Sequence, residues 1–194
     1  MVLALPRHLV ALKASGALGE ATLPGVVYGP ILDALAHHRP VSLSELETRL
    51  RGMSLAQIAK AVMLLISIGV LLNAQDDAEI EAARPRTARL NAAICAQALR
   101  HGELQFLVSP VSGSGIRVPR VPQLFLLARA QASLAPAQWA EFAWATLQAA
   151  PLEQAGDAAS ATGARSQPSL TELTAHAQRF ADIQLPVLQA LLIA

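Results

Sequence analysis

Residues 106–128 read FLVSPVSGSGIRVPRVPQLFLLA. The apolar run Phe106-Leu107-Val108 enters Ser109-Pro110 and then a Ser-Gly-Ser-Gly loop at 112–115. Arg117-Val118-Pro119 leads out of that loop into a segment with apolar residues at Val121, Leu124, Phe125 and Ala128. That spacing, i, i+3, i+4, i+7, is the single-face period of a helix. A short apolar run, a glycine loop and an amphipathic helix set the expectation for the whole chain. It is read as mainly α with a few short strands.

Composition agrees. The hydrophobic fraction is 53% and the aromatic fraction only 4%, because Ala and Leu supply most of the apolar content. Such a mixture favours helix over sheet. A net charge of +1 gives no long-range field to draw in nucleic acid or an anionic membrane. Cys95 is the only cysteine, which excludes an internal disulfide and fits a reducing compartment. At the N-terminus, Arg7, His8 and Lys13 interrupt what would be the core of a signal peptide. No window reaches the roughly 18–20 uncharged apolar residues of a membrane span. The expected location is the cytoplasm.

Three regions follow along the chain. Residues 1–25 form an N-terminal arm with Leu5, Leu9 and Leu12 on a loosely helical pattern. Residues 26–80 read as a winged-helix-like domain. A first helix carries Ile31, Leu32 and Leu35 and ends before Pro40. Ser42-x-x-Glu45 and Ser54-x-x-Gln57 are capping boxes, each opening a further helix. The second of these presents Leu55, Ile58, Val62 and Ile66 and stops at Gly69. Val70-Leu71-Leu72 then predicts a strand, and the polar stretch Gln75–Glu81 a wing tip or linker.

Residues 81–194 read as a helical C-terminal domain. A long helix is expected from Pro85, with Leu90, Ile94, Ala98 and Leu99 on its buried face. Another starts at Pro136 with Trp139, Phe142, Ala143 and Leu147. A polar, mobile loop is expected near 152–167. Ser169-x-x-Glu172 is a third capping box, opening a helix with Leu170, Leu173, Ala177 and Phe180. Pro186 should kink or break that helix before the apolar end Val187, Leu188, Leu191, Leu192 and Ile193. An end so apolar must be covered by something.

The segment Pro110-Val111-Ser112-Gly113-Ser114-Gly115 resembles the PV-x-GSG motif of the bacterial methyltransferase regulatory domain proteins. Phe180 followed by Leu185-Pro186-Val187-Leu188 is similar to that family's closing F…LP-x-L element. The winged-helix-like segment also stands where the family has one, so the resemblance runs from about Val26 to Ala194. In that family the region lies downstream of an S-adenosylmethionine-dependent methyltransferase domain. The resemblance therefore implies a non-catalytic regulatory or substrate-engaging module, working through protein–protein contacts with the catalytic domain in cis or in trans. It implies S-adenosylmethionine for that partner and none for this chain, whose residues show neither a strand–helix alternation nor a glycine-rich first turn. Some members methylate protein lysines, which implies a protein substrate. Two other classes stay open on the residues: a winged-helix DNA-binding transcription regulator, and a small-molecule sensor with an apolar pocket.

Site residues are few. Gly113, Ser114 and Gly115, with Arg117 and Arg120 alongside, form a candidate anion loop or a point of close backbone approach. A dinucleotide fingerprint would need a third glycine where Val118 stands, and no Gly-Lys-Ser/Thr follows. His37 and His38 are neighbours and cannot share a metal as an i, i+4 pair would. Cys95 lies beside Ile94 and Leu99 and reads as a buried, inert thiol. Trp139 and Trp144 are expected in the core or in a homodimer contact. The outward face of the helix after Ser54 is expected to be Ala56, Gln57, Lys60, Met63 and Ser67, with one cation. Asp76, Asp77 and Glu79 follow close behind, so the electrostatics oppose DNA. No catalytic, metal or cofactor residues are assigned.

Overall fold

A computed structural model describes residues 1–16, 19–131, 135–149 and 168–194. The loop expected near 152–167 lies outside these. The fold is mainly α with a few short strands. Helix α1 (Gly25–Ala34), α2 (Leu43–Arg49) and α3 (Leu55–Ser67) lead into strand β4 (Leu71–Leu72), preceded by β1 (Val2–Leu3), β2 (Lys13–Gly16) and β3 (Gly19–Thr22). Then come α4 (Asp77–Gln97), the hairpin β5 (Phe106–Ser109) and β6 (Ser114–Arg117), and helices α5 (Arg120–Ala130), α6 (Pro136–Ala149), α7 (Leu170–Arg179) and α8 (Leu185–Ala190).

The caps form as their sequences demand. Ser42 and Glu45, Ser54 and Gln57, and Ser169 and Glu172 each satisfy one another's free backbone N–H at the start of α2, α3 and α7. Gly69, at φ +74°, ends α3, with the Val70 N–H reaching back to the Leu65 carbonyl at 2.9 Å.

The N-terminal arm departs from its helical expectation. Val2 and Leu3 pair antiparallel with Leu72 and Leu71. On the other side, Met1 and Val41 exchange both backbone hydrogen bonds at 2.9 Å. Leu5 and Leu9, which suggested a helical face, are exposed. Only one 3-10 turn forms, at Arg7–Leu9, before the β2–β3 hairpin. Val2 and Leu3 become fully buried only as a strand between two partners, so tertiary pairing overrides the local period. Leu3, Val10 and Leu23 accordingly share one core with Ile31, Leu46, Ile58 and Leu65.

The expected wing is also replaced. Asp76 accepts the Glu79 N–H at 2.9 Å and caps α4, so Gln75–Glu81 is a linker residue followed by a helix start. The boundary expected between 80 and 81 falls inside that helix. Pro85 sits within it rather than opening it; it and Glu81, whose carbonyl loses a partner, are both exposed, so water can serve that oxygen. The buried positions of α4 are Ile80, Asn91 and Cys95, while Leu90 faces out.

A second core gathers Leu107, Leu124, Phe125, Ala140, Ala143, Ala177 and Phe180. Phe125 and Phe180 lie 5.6 Å apart between ring centres, and Trp139 meets Phe180 edge-on at 6.3 Å. Trp144 and Leu170 are exposed, whereas Trp139 and Leu173 are buried. Pro186 does not break the last helix. A π-helical turn at Phe180–Gln184 widens the backbone so that the proline opens α8. Leu192, at φ +54°, then closes α8 where glycine is usual, with the Ile193 N–H on the Leu188 carbonyl at 2.9 Å.

Between the two cores lies a small third cluster of Val2, Ile80, Val111, Val187 and Leu191. These come from β1, α4, the β5–β6 loop, and α8 with the residue that caps it. The apolar end of the chain is thus covered within the chain. Among the described residues no helix is long and apolar enough to cross a membrane.

Candidate functional site

The β5–β6 hairpin brings Gly113, Ser114, Gly115 and Arg117 together. Its four paired positions run from Phe106↔Arg117 to Ser109↔Ser114. Ser109 organises the loop: its carbonyl accepts the Gly113 N–H at 2.9 Å and its hydroxyl accepts the Ser112 N–H at 3.2 Å. The Ser112 and Ser114 hydroxyls meet at 2.8 Å. The Ser112 and Gly113 N–H groups are therefore engaged inside the turn.

Gly113 has φ +63°, the left-handed region that L side chains rarely adopt, and a Cβ there would run into the Gln75 side chain. The Gln75 N–H in turn donates to Val111 at 2.8 Å, so the loop lies directly on the entry to α4. Gly115 is extended and sits beneath Phe106, with ordinary contact room for a methyl. Gly113→Ala is thus expected to lower stability by about 1 kcal/mol or more, and Gly115→Ala by less. Urea unfolding of both variants checks this.

The two arginines part company. Arg117 donates twice to the Gln105 side chain, at 2.9 and 3.2 Å, on the exposed face of the hairpin. Arg120 turns the other way and is buried. Its Nε donates to the Ala98 carbonyl at 2.8 Å and its Nη2 to Leu99 at 3.3 Å, at the C-terminal end of α4. A cation there suits the free carbonyls of a helix end. Burial pulls the Arg120 pKa below the usual guanidinium value.

Three further buried polar side chains went unmarked in the sequence. The Asn91 side-chain amide donates to the Val108 carbonyl at 2.8 Å and accepts the Val108 N–H at 2.7 Å, pairing with β5 as a neighbouring strand would. Gln123 donates to the Leu104 and Val118 carbonyls at 2.6 and 2.7 Å. The buried Ser109 hydroxyl donates to the Leu191 carbonyl at 2.8 Å and so ties the hairpin to α8. The only available signal was a lone polar residue among alanines, as at Asn91 in Leu90-Asn91-Ala92-Ala93.

Cys95 is buried and its thiol is pushed up to about 11 by desolvation. His176 packs edge-on to Phe125 at 5.4 Å, and burial, then the nearby Arg179, lowers its pKa. His38 holds φ +54° with Nδ1 3.0 Å from the Leu3 carbonyl. Among the described residues no cluster of three His, Cys, Asp or Glu side chains is placed to hold a metal.

The outward face of α3 is Ala56, Gln57, Lys60, Met63 and Ser67, all exposed. Met63 is 68% exposed, and Leu55 on the same helix 44%. One cation, a large thioether and small neutral groups make this surface apolar and weakly charged.

No protein-family profile matches the chain, and no solved structure matches it. It is 32% identical over 147 residues, 75% of its own length, to an uncharacterized protein (sll1526) of Synechocystis sp.. The match covers 28% of that relative, so the chain spans little more than a quarter of the longer protein.

Proposed function

We propose that this chain is the non-catalytic module of a larger S-adenosylmethionine-dependent methyltransferase, which it serves through protein–protein contacts. The observation that carries the reading is the exposed α3 face. A Met-bearing, nearly uncharged helix surface is suited to another protein and poorly suited to phosphate. Two further features support it. The buried polar groups Asn91, Ser109, Arg120 and Gln123 bond to backbone groups, the work of holding a fold in place. The Synechocystis relative extends far beyond the matched segment, with ample length for a catalytic domain.

In this reading α1, α2, α3 and β4 serve as a winged-helix-like contact unit, with β1 supplying the pairing strand. The catalytic partner is engaged in cis or in trans, and a protein is its substrate. The same helix order is what a DNA-binding regulator would use, with α3 in the major groove. Asp76, Asp77 and Glu79 directly after β4 disfavour that use.

The test is binding of this chain to the part of the Synechocystis relative outside the match, expressed separately. Saturable binding is expected, and Met63→Glu should weaken it about tenfold or more, the effect of burying a charge at an apolar contact. Failure to bind, with instead a salt-sensitive shift of duplex DNA, would replace this reading by the regulator.

A further inference from the structure

The β5–β6 hairpin has two edges, and Asn91 fills one of them. Its side chain takes both the N–H and the carbonyl of Val108, so those groups point away from β6. Val108 stands opposite Gly115 and is therefore half of a non-hydrogen-bonded pair, in which both residues turn their backbone groups outward. The Val118 N–H on the Gln105 carbonyl, at 2.7 Å, fixes the same alternation from the other end of the hairpin. Gly115 and Arg117 accordingly present two N–H groups and two carbonyls on the outer side of β6. Both residues are exposed, and these backbone groups have no hydrogen-bond partner among the described residues.

The side chains along this edge say what would pair there. Phe106 and Arg117 share the outer face of the hairpin, since Leu107 between the strands is buried and successive strand residues alternate. Phe106 is 58% exposed, and its ring Cδ1 lies 3.7 Å from where a Cβ on Gly115 would stand. The glycine thus leaves the ring bare toward the open edge. Arg117 is the only charged residue of β6. Its hydrogen bonds go to the neutral amide of Gln105, and it joins no ion pair among the described residues. An open edge is a template for another strand. A second copy of this chain is disfavoured, because pairing β6 with β6 would set two Arg117 side chains on one short edge.

We propose that β6 accepts an extended segment of another protein as an added antiparallel strand, with an apolar residue opposite Gly115 and a carboxylate opposite Arg117. Antiparallel pairing is the more stable per residue. The two selected residues stand two apart in the segment, so both side chains fall on the outer face. One lies against the Phe106 ring and the other on the Arg117 fork. Main-chain hydrogen bonds to Gly115 and Arg117 hold the segment, and its two side chains give specificity. The cation that turns away a second copy is the one that selects an acidic strand. No residue of α3 takes part, so the site stands or falls independently of the methyltransferase reading.

A fluorescein-labelled peptide, Val-Thr-Glu-Thr-Val-Thr-Glu-Thr, tests it on the intact chain. Anisotropy titration should show saturable binding, and hydrogen exchange should show the Gly115 and Arg117 amides slowed by the peptide. Lys in place of Glu in the peptide, or Arg117→Gln in the chain, should each weaken binding by about tenfold or more, the loss of charge-assisted hydrogen bonds. N-methylation of the Val and Glu residues, whose N–H groups face the edge, should abolish binding, which a purely ionic contact would survive. Gly115→Pro removes an edge donor that the hairpin itself does not use, and should also weaken binding by about tenfold or more. The melting curve of that variant verifies that it folds, and the N-methylated peptide asks the same question of the unaltered chain. Binding that leaves the two amides unprotected, equal binding of the Lys or N-methylated peptide, unchanged affinity in Arg117→Gln, or no saturable binding would each overturn the proposal. So would a concentration-dependent dimer that protects the same two amides.

Discussion

Removing Pro186–Ala194 is expected to cost the chain its cooperative fold. The deletion strips Val187, Leu188 and Leu191, all buried, and uncovers Val2, Ile80 and Val111 beneath them. Burial of each large aliphatic side chain contributes about 1.5–3 kcal/mol, so three together rival the roughly 5–15 kcal/mol that hold a whole domain. The Ser109 hydroxyl also loses its acceptor at Leu191. Solubility should fall with the melting temperature, because the exposed cluster is apolar. A milder variant keeps the question answerable if the truncated chain does not accumulate. Leu191→Ala should destabilise by about 2–5 kcal/mol, read from the midpoint of urea unfolding. If truncation leaves both solubility and melting temperature unchanged, the third cluster does not hold the two cores together.

Asn91→Leu is the second large effect. The substitution keeps the number and branching of the side chain's heavy atoms but removes both hydrogen bonds to Val108. An N–H and a carbonyl are then left inside the protein without partners, at about 1–3 kcal/mol each. The total should exceed that of Gly113→Ala, where only backbone conformation is strained. Hydrogen exchange gives a local readout: the Val108 amide should lose protection before the rest of β5. Unchanged stability would mean that water reaches both groups of Val108 and that Asn91 is dispensable.

These two sites mark the limit of what the residues reveal unaided. Ser42, Ser54 and Ser169 are legible as caps because the partner of each lies three residues on. The turn at Gly113 is legible for the same reason, since a left-handed position is a local need. Asp76-x-x-Glu79 carries the same local signal, yet Pro85 looks like a better helix start and hides it. Proline is tolerated there only because the adjacent carbonyl is exposed, and burial is a tertiary fact. The strand at Val2-Leu3 is hidden because its partners, Val41 and Leu71-Leu72, are remote in the chain.

The candidate site divides in the same way. Gly113, Ser114, Gly115 and Arg117 sit together because one hairpin carries them. Arg120 leaves that group because the C-terminal carbonyls of α4 attract it more strongly than the loop does. No spacing rule foretells the choice, since the acceptors, Ala98 and Leu99, belong to another helix. The exposed strip of α3 follows from helical geometry and was readable.

The central claim, that this chain accompanies a cofactor-binding domain without being one, is most directly tested by calorimetric titration with S-adenosylmethionine. Three proteins suffice: this chain, the full-length Synechocystis relative, and that relative without the matched segment. The expected result is no heat of binding for this chain and comparable affinity for the other two, which places the cofactor site outside the shared segment. Saturable binding to this chain alone, or none to the full-length relative, would contradict the account.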